Sequence, residues 1–237
     1  MAFERLFNDI CDDFLEAIIP TEIDKIKLCQ VLFHSVLSTD ITSKDRNQFS
    51  IKRYQIASDQ VFDESILIKE PEICPLASYI KQYFGMIEFP SFAIQKYPRE
   101  FKTTHSLLQT YVLNEHIMLV SDIAYLMQCW NNFVKWNFRL YKEIKSCHDR
   151  GLCDDPTNGW YDGQIWFLVN YVIPLATRFK TYFTSSFGHD LVKQAERNLH
   201  QWKIHGGQAS KRMADAVIKG DDESKTLAEI YRLPGDS

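Results

Sequence analysis

No apolar run in this chain reaches the roughly 18 residues that a membrane-crossing helix needs, so no membrane segment is expected within it. Its first residues, MAFERLFNDICDDF, are acidic and amphipathic, without the basic region, apolar stretch and small-residue cleavage site of a secretory signal. A basic excess is also missing. The chain has 27 Lys and Arg against 31 Asp and Glu, a net charge of −4, which leaves no electrostatic footprint for nucleic acid. Repeats and low-complexity tracts are absent. A disulfide framework is not indicated either: Cys11, Cys29, Cys74, Cys129, Cys147 and Cys153 are scattered and fit the reduced thiols of a cytoplasmic protein better. What the chain does have is many aromatic side chains and enough length, 237 residues, to bury the core of one domain or two small ones.

Periodicity places a helix over Phe3 to Ile19, with Phe3, Leu6, Phe7, Ile10, Phe14, Leu15 and Ile18 on one stripe and Pro20 at its end. Thr21 caps a second helix running to about Thr39, with Glu22 and Asp24 at the positive end of its dipole. His34 on that helix reads as a partly exposed histidine, because no second ligand stands one turn away. Ser43 to about Ala57 reads as a more polar helix, with Arg46, Lys52 and Arg53 on a solvated face. From Ser58 to Lys102, Pro71, Pro75, Pro90 and Pro98 leave short helices and long loops, without strand pairs or Asn-Gly hairpins. Helical pattern resumes at about Thr104 and persists to about Ser146. One helix of that length is unusual in a compact domain, so a break is expected near Asp122 to Tyr125. In the loop CHDRGLCDDPTNG, Cys147, His148 and Cys153 lack the second ligand pair of a zinc site. Further on, Gly188 reads as a stop, and Asp190 to His205 and Gln208 to Ile218 as two helices divided by Gly206-Gly207. Residues 221–237 read as a polar, frayed tail behind a single helical domain of residues 1–220. The fold class expected is all-α, a compact multi-helix domain.

One stretch organises the rest. Trp160 to Ala176, WYDGQIWFLVNYVIPLA, is apolar on nearly every side, which predicts a buried helix. Gln164 does not belong in such a helix: it sits either at a cleft or against a neighbour that satisfies it. Phe167 and Tyr171 follow at helical spacing and share its face. An amide beside an aromatic ring can grip a flat heterocycle, the ring stacking and the amide reading the edge. The plainer alternative is a core helix whose Gln bonds a side chain nearby.

Three pieces together resemble the catalytic domain of class I 3',5'-cyclic nucleotide phosphodiesterases, most closely their diatom-like branch. They are SVLSTDITSKDR, EHIMLVSDIAYLMQCWNNFVKWNFRL and NGWYDGQIWFLVNYVIPLA, in the family's order and over most of residues 30–205. The resemblance covers the C-terminal part of that helical domain. It implies that Asp122 is a metal ligand, with Trp136 fourteen residues on at the family's spacing. It makes Gln164 the purine-binding amide, Phe167 the clamping ring and Pro174 the family's proline. Thr39 and Asp40 become outer-shell groups beside the metal-bound waters. Leu140 and Ile144 fall at pocket positions. Tyr125 stands in the nucleotide site where the family usually has Asn or His, and Cys129 where the nearest branch has His. The implied cofactor is a divalent metal pair, Zn with Mg or Mn, and the implied ligand is cAMP or cGMP. Two such metals neutralise the phosphodiester and generate a hydroxide at neutral pH.

The family's other metal ligands lie in an H-N-x-x-H segment and a His-Asp pair upstream of the metal Asp, and neither is in place here. His148-Asp149 and His189-Asp190 both follow Asp122, in the wrong order. One carboxylate cannot hold a metal pair. The expectation is therefore a nucleotide-recognition part of such an enzyme, not active alone, which does not retain the metals and whose partner is the missing N-terminal half of the catalytic domain. The alternative is a non-catalytic helical remnant that binds a nucleotide or a protein. A half-domain would also expose the apolar face that packed on its other half.

Overall fold

The computed structural model describes Thr21 and residues 44–58, 105–182 and 186–232. Every element among them is helical, with no strand among the described residues, as the all-α reading expects. The expected helices before residue 40, His34 and the proline-rich stretch of residues 59–102 lie outside the described residues, as do Thr39 and Asp40. The described residues fall into two units divided between Leu119 and Val120.

In the first unit, α1 spans Lys44–Ser58 and α2 spans His105–Asp122, the latter crossing the division. Along α2, Leu108, Tyr111, Val112, Glu115, His116 and Leu119 are buried, spaced to make one stripe. Two of these are polar, and both find partners. His116 Nδ1 lies 2.7 Å from the Val112 carbonyl one turn back, and its ring meets Tyr54 edge-on at 5.4 Å. Glu115 receives Arg53, whose Nη2 reaches both carboxylate oxygens at 3.0 Å and whose Nε reaches one at 3.2 Å. Lys52 is exposed as expected, but the solvated face is wrong for Arg53, which is 0 % exposed. Its partner lies 62 residues away, so nothing in the local pattern of α1 betrays the pairing. The side chain of Arg46 lies outside the described ones.

The long helical pattern breaks where expected. Asp122 ends α2, Ile123 leaves the helix, and a 3₁₀ turn covers Ala124–Met127. Behind Cys129, α3 runs Trp130–Asp149 and buries Phe133, Val134, Asn137, Phe138 and Tyr141. A loop follows, turned by Gly151 at φ 73°, where only glycine is unstrained, and closed by a short 3₁₀ turn at Pro156–Asn158.

The central stretch is α4 (Trp160–Phe167), a π turn (Leu168–Val172) and α5 (Ile173–Lys180). The π turn has a local reason. Pro174 has no N–H and would clash with the carbonyl one turn back in a regular helix. One residue earlier, Ile173 N–H bonds the Leu168 carbonyl five residues back, and the wider turn accommodates the ring. The stretch is not buried all round, as its composition suggested. Trp160, Gln164, Leu168, Tyr171, Val172, Leu175, Ala176 and Phe179 face inward, whereas Trp166 is 64 % exposed and Val169 44 %. Apolar residues on a wet face do not register in a hydrophobicity pattern as exposed.

Gly188 and Gly206-Gly207 do not stop or divide a helix, contrary to expectation: α6 is one helix, Ser186–Lys219. The reason is Trp202, 0 % exposed, whose indole lies on Gly206. A Cβ there would stand 2.6 Å from the ring. The glycine permits close packing within the helix, not a turn. The indole also donates to the Tyr161 carbonyl at 3.0 Å, and Tyr161 Oη donates back to the Lys203 carbonyl at 3.1 Å, clasping α4 to α6. Asn198 donates to the Leu126 and Gln128 carbonyls at 3.0 and 2.8 Å, fixing α6 to the 3₁₀ turn. The expected frayed tail is also corrected: Glu223–Tyr231 form α7, capped by Asp222 and seated by buried Thr226, Leu227 and Ile230. Its polar face hid this, because Glu223 pairs with Arg139 at 2.8 Å and Tyr231 Oη donates to the Asn131 carbonyl.

Candidate functional site

Gln164 lies on the inward face of α4, 7 % exposed, and its Oε1 is buried without a hydrogen-bond partner. Trp160, one turn earlier on the same face, donates from Nε1 to Asn137 Oδ1 at 2.7 Å and meets the Tyr141 ring edge-on at 5.1 Å. Asn137 is itself fully buried, and its Nδ2 has no partner. A buried acceptor on α4 and a buried donor on α3 are therefore each without a partner. Unpaired buried polar atoms are rare in proteins, because each costs about 1–3 kcal/mol. Asn137 and Trp160 were not singled out from sequence. A buried Asn at mid-helix was the available signal.

Phe167 is half-buried and stacks on Tyr171, centroids 5.2 Å apart and planes within 4°. Of Gln164, Phe167 and Tyr171, expected together on one face, Phe167 and Tyr171 meet ring to ring, Tyr171 from within the π turn. The stack fixes the plane of the Phe167 ring. Leu140 and Ile144 are half-buried, one turn apart on α3, beside its buried stripe. Pro174 is half-buried at the start of α5.

Asp122 is exposed at the C-terminus of α2, and Tyr125 is half-buried in the 3₁₀ turn that follows. These two do interact: burial, and then the Asp122 carboxylate, push the Tyr125 phenol up to about 12. Tyr125 thus remains a neutral hydrogen-bond donor or acceptor at physiological pH. Trp136 is 47 % exposed, with the Arg139 guanidinium 5.0 Å from its ring centre.

No set of three or more His, Cys, Asp or Glu able to hold a metal occurs among the described residues. In the loop after α3 the candidate ligands serve other bonds. His148 Nδ1 lies 3.1 Å from the Cys153 carbonyl, Cys153 Sγ donates to the Ile144 carbonyl, and Arg150 donates to Cys147 Sγ at 3.3 Å. Asp155 organises the loop. Its carboxyl is held far below the ordinary range by the Thr157 hydroxyl, the Thr157 N–H and then Lys145. No helix among the described residues is long and apolar enough to cross a membrane.

A separate open groove of about 670 Å³ lies between the start of α3 and one side of α6, lined in part by Trp130, Lys193, Arg197 and His205. None of the residues singled out above from sequence lines it, except Cys129. Its trace in the sequence is the run Lys193, Arg197, His200 and Ile204 at helical spacing. Compared with protein-family models, with curated proteins and with solved structures, the chain matches none.

Proposed function

We propose that this chain is the nucleotide-recognition part of a 3',5'-cyclic nucleotide phosphodiesterase, in which Gln164 reads the edge of the purine of cAMP or cGMP and Phe167 lies against its face. The observation that carries the reading is the buried, partnerless Oε1 of Gln164. A purine N–H, from the exocyclic amine of adenine or from N1 of guanine, supplies the donor that this acceptor lacks. Phe167, its plane set by Tyr171, offers flat apolar surface three residues along the same helix. The substrate class comes from the resemblance of the three sequence pieces.

The described residues do not fit a Zn and Mg or Mn pair on their own. Asp122 is a single exposed carboxylate with a phenol beside it, and a two-metal site needs several protein ligands. The proposed role is accordingly recognition, with hydrolysis dependent on ligands beyond these. That same solitude of Asp122 favours a second reading, a non-catalytic helical module that binds the nucleotide or a protein. Metal-stimulated hydrolysis of cAMP or cGMP by the chain separates the two.

Photolabelling with 8-azido-cAMP and 8-azido-cGMP tests the recognition role. The expected result is labelling of the wild-type chain that unlabelled cyclic nucleotide competes away, and none in Gln164→Ala. Labelling that persists unchanged in the variant removes Gln164 from the site and the proposal with it.

A further inference from the structure

The chain has one Asn-Gly pair, Asn158-Gly159, and one Asp-Gly pair, Asp162-Gly163. Both lie at the entry to α4. A glycine after Asn or Asp has no Cβ to keep its main-chain nitrogen from the preceding side-chain carbonyl carbon. The two pairs are held differently. Gly163 N–H bonds the Gly159 carbonyl at 2.8 Å, which ties that nitrogen into the first turn of α4. Gly159 N–H bonds the Pro156 carbonyl at 3.3 Å, beyond the ordinary range of about 2.7–3.2 Å. That long bond closes a 3₁₀ turn of three residues, so little local structure has to open to free the nitrogen. Thr157 stays docked meanwhile, with its hydroxyl 2.6 Å from Asp155 Oδ1 and 3.0 Å from the Tyr141 hydroxyl. Asn158 is exposed, and its amide bonds none of the described residues. Gly159 is exposed too, and a Cβ built on it meets nothing within 4 Å, so no neighbour obstructs a ring closing there.

We propose that Asn158 deamidates spontaneously in the folded chain, giving aspartate and isoaspartate at the entry to the helix that carries Gln164. The Gly159 nitrogen loses its proton to a solvent base and attacks the Asn158 side-chain carbonyl carbon. A C–N bond forms, a cyclic imide closes, and the side-chain nitrogen takes up a proton and leaves as ammonia. Water then opens the imide at either carbonyl. One opening gives aspartate; the other gives isoaspartate, whose main chain runs through the former side chain. The sum is amide plus water to acid plus ammonia. Both products add a negative charge. Gly159, in the capping position of α4, offers no side-chain bond, so the new carboxylate stands beside an uncapped helix start, where the dipole favours it. Isoaspartate also inserts an extra backbone atom just before Trp160, whose indole is fixed to Asn137 at 2.7 Å. The modification does not depend on what Gln164 binds.

The test is incubation of the whole folded chain at mildly acidic and mildly basic pH. Peptide mass spectrometry and methylation by an isoaspartyl methyltransferase read the products. Asn158 should gain the mass difference between amide and acid, faster in base because the nitrogen must lose its proton, while Asp162 stays unchanged. Gly159→Ala, whose methyl enters open space, should keep the helical circular dichroism and lose the conversion. The indole N–H resonance of Trp160 should split as product accumulates. Conversion only after denaturation overturns the proposal. So does isomerisation of Asp162 at an equal rate, or conversion of Gly159→Ala at the wild-type rate. An unsplit Trp160 resonance would sink the effect on α4.

Discussion

Gln164 concentrates the question at the scale of single residues. A buried amide without a partner is a liability in the free chain and an asset only when something arrives to pair with it. Met has nearly the same shape and no acceptor. Gln164→Met should therefore raise stability by about 1 kcal/mol, read as a higher denaturant midpoint, where most core substitutions lower it. A loss of stability would mean that a water or a neighbouring donor pairs with Oε1 in solution and that Gln164 is an ordinary core residue. Arg53 is the converse case. Its guanidinium and the Glu115 carboxylate are both buried, so Arg53→Met takes a charged partner from a buried carboxylate and should cost about 3–5 kcal/mol. Replacing both, with Glu115→Leu, should recover most of that loss. The odd Gln was legible in the sequence because it interrupts an apolar run. The buried Arg was not, because its partner lies on another helix and a charge in a polar helix looks like a solvated one.

The elements show where local pattern and packing part company. The break after Asp122 was legible, since a pattern too long for one helix has to yield somewhere. The unity of α6 was not, because a glycine pair has the same appearance whether it ends a helix or lets an indole lie on it. The two glycines should therefore respond oppositely. Gly206→Ala drives a methyl into Trp202 and should destabilise by about 1–3 kcal/mol. Gly207→Ala meets nothing within 4 Å and should stabilise by about 0.5–1 kcal/mol. Thermal unfolding of the two variants measures both. α7 was missed for a related reason: its few apolar residues are spaced to seat on α3 and α6, while its charges make it read as tail.

At the scale of the whole molecule, the second unit is held by an aromatic core around Trp202, which contacts Trp130, Phe133 and Tyr161, and by polar clasps at its edges. The edges are sensitive to acid. Partial burial raises the Glu223 carboxyl, but Arg139 and then Lys142 outweigh it and hold the group below its ordinary range. Arg212 does the same for Glu229. A depressed carboxylate contributes stability above its unfolded pKa and loses it as pH falls through the folded value. Hydrogen exchange should accordingly show α7 losing protection first as pH drops below about 4, before the core of α3 and α6. The all-helical class was legible from periodicity. The site was legible only as a set of residue types along two helices. What leaves the Gln164 acceptor without a partner, and Asp122 exposed beside Tyr125, depends on packing between helices.

Calorimetric titration of cAMP and cGMP into the intact chain, wild type against Gln164→Met, tests the central claim most directly. The expected result is saturable binding of one or both nucleotides to the wild type and at least about a tenfold weaker Kd in a variant that is no less stable. Absence of binding to the wild type, or equal binding to the two, would contradict it.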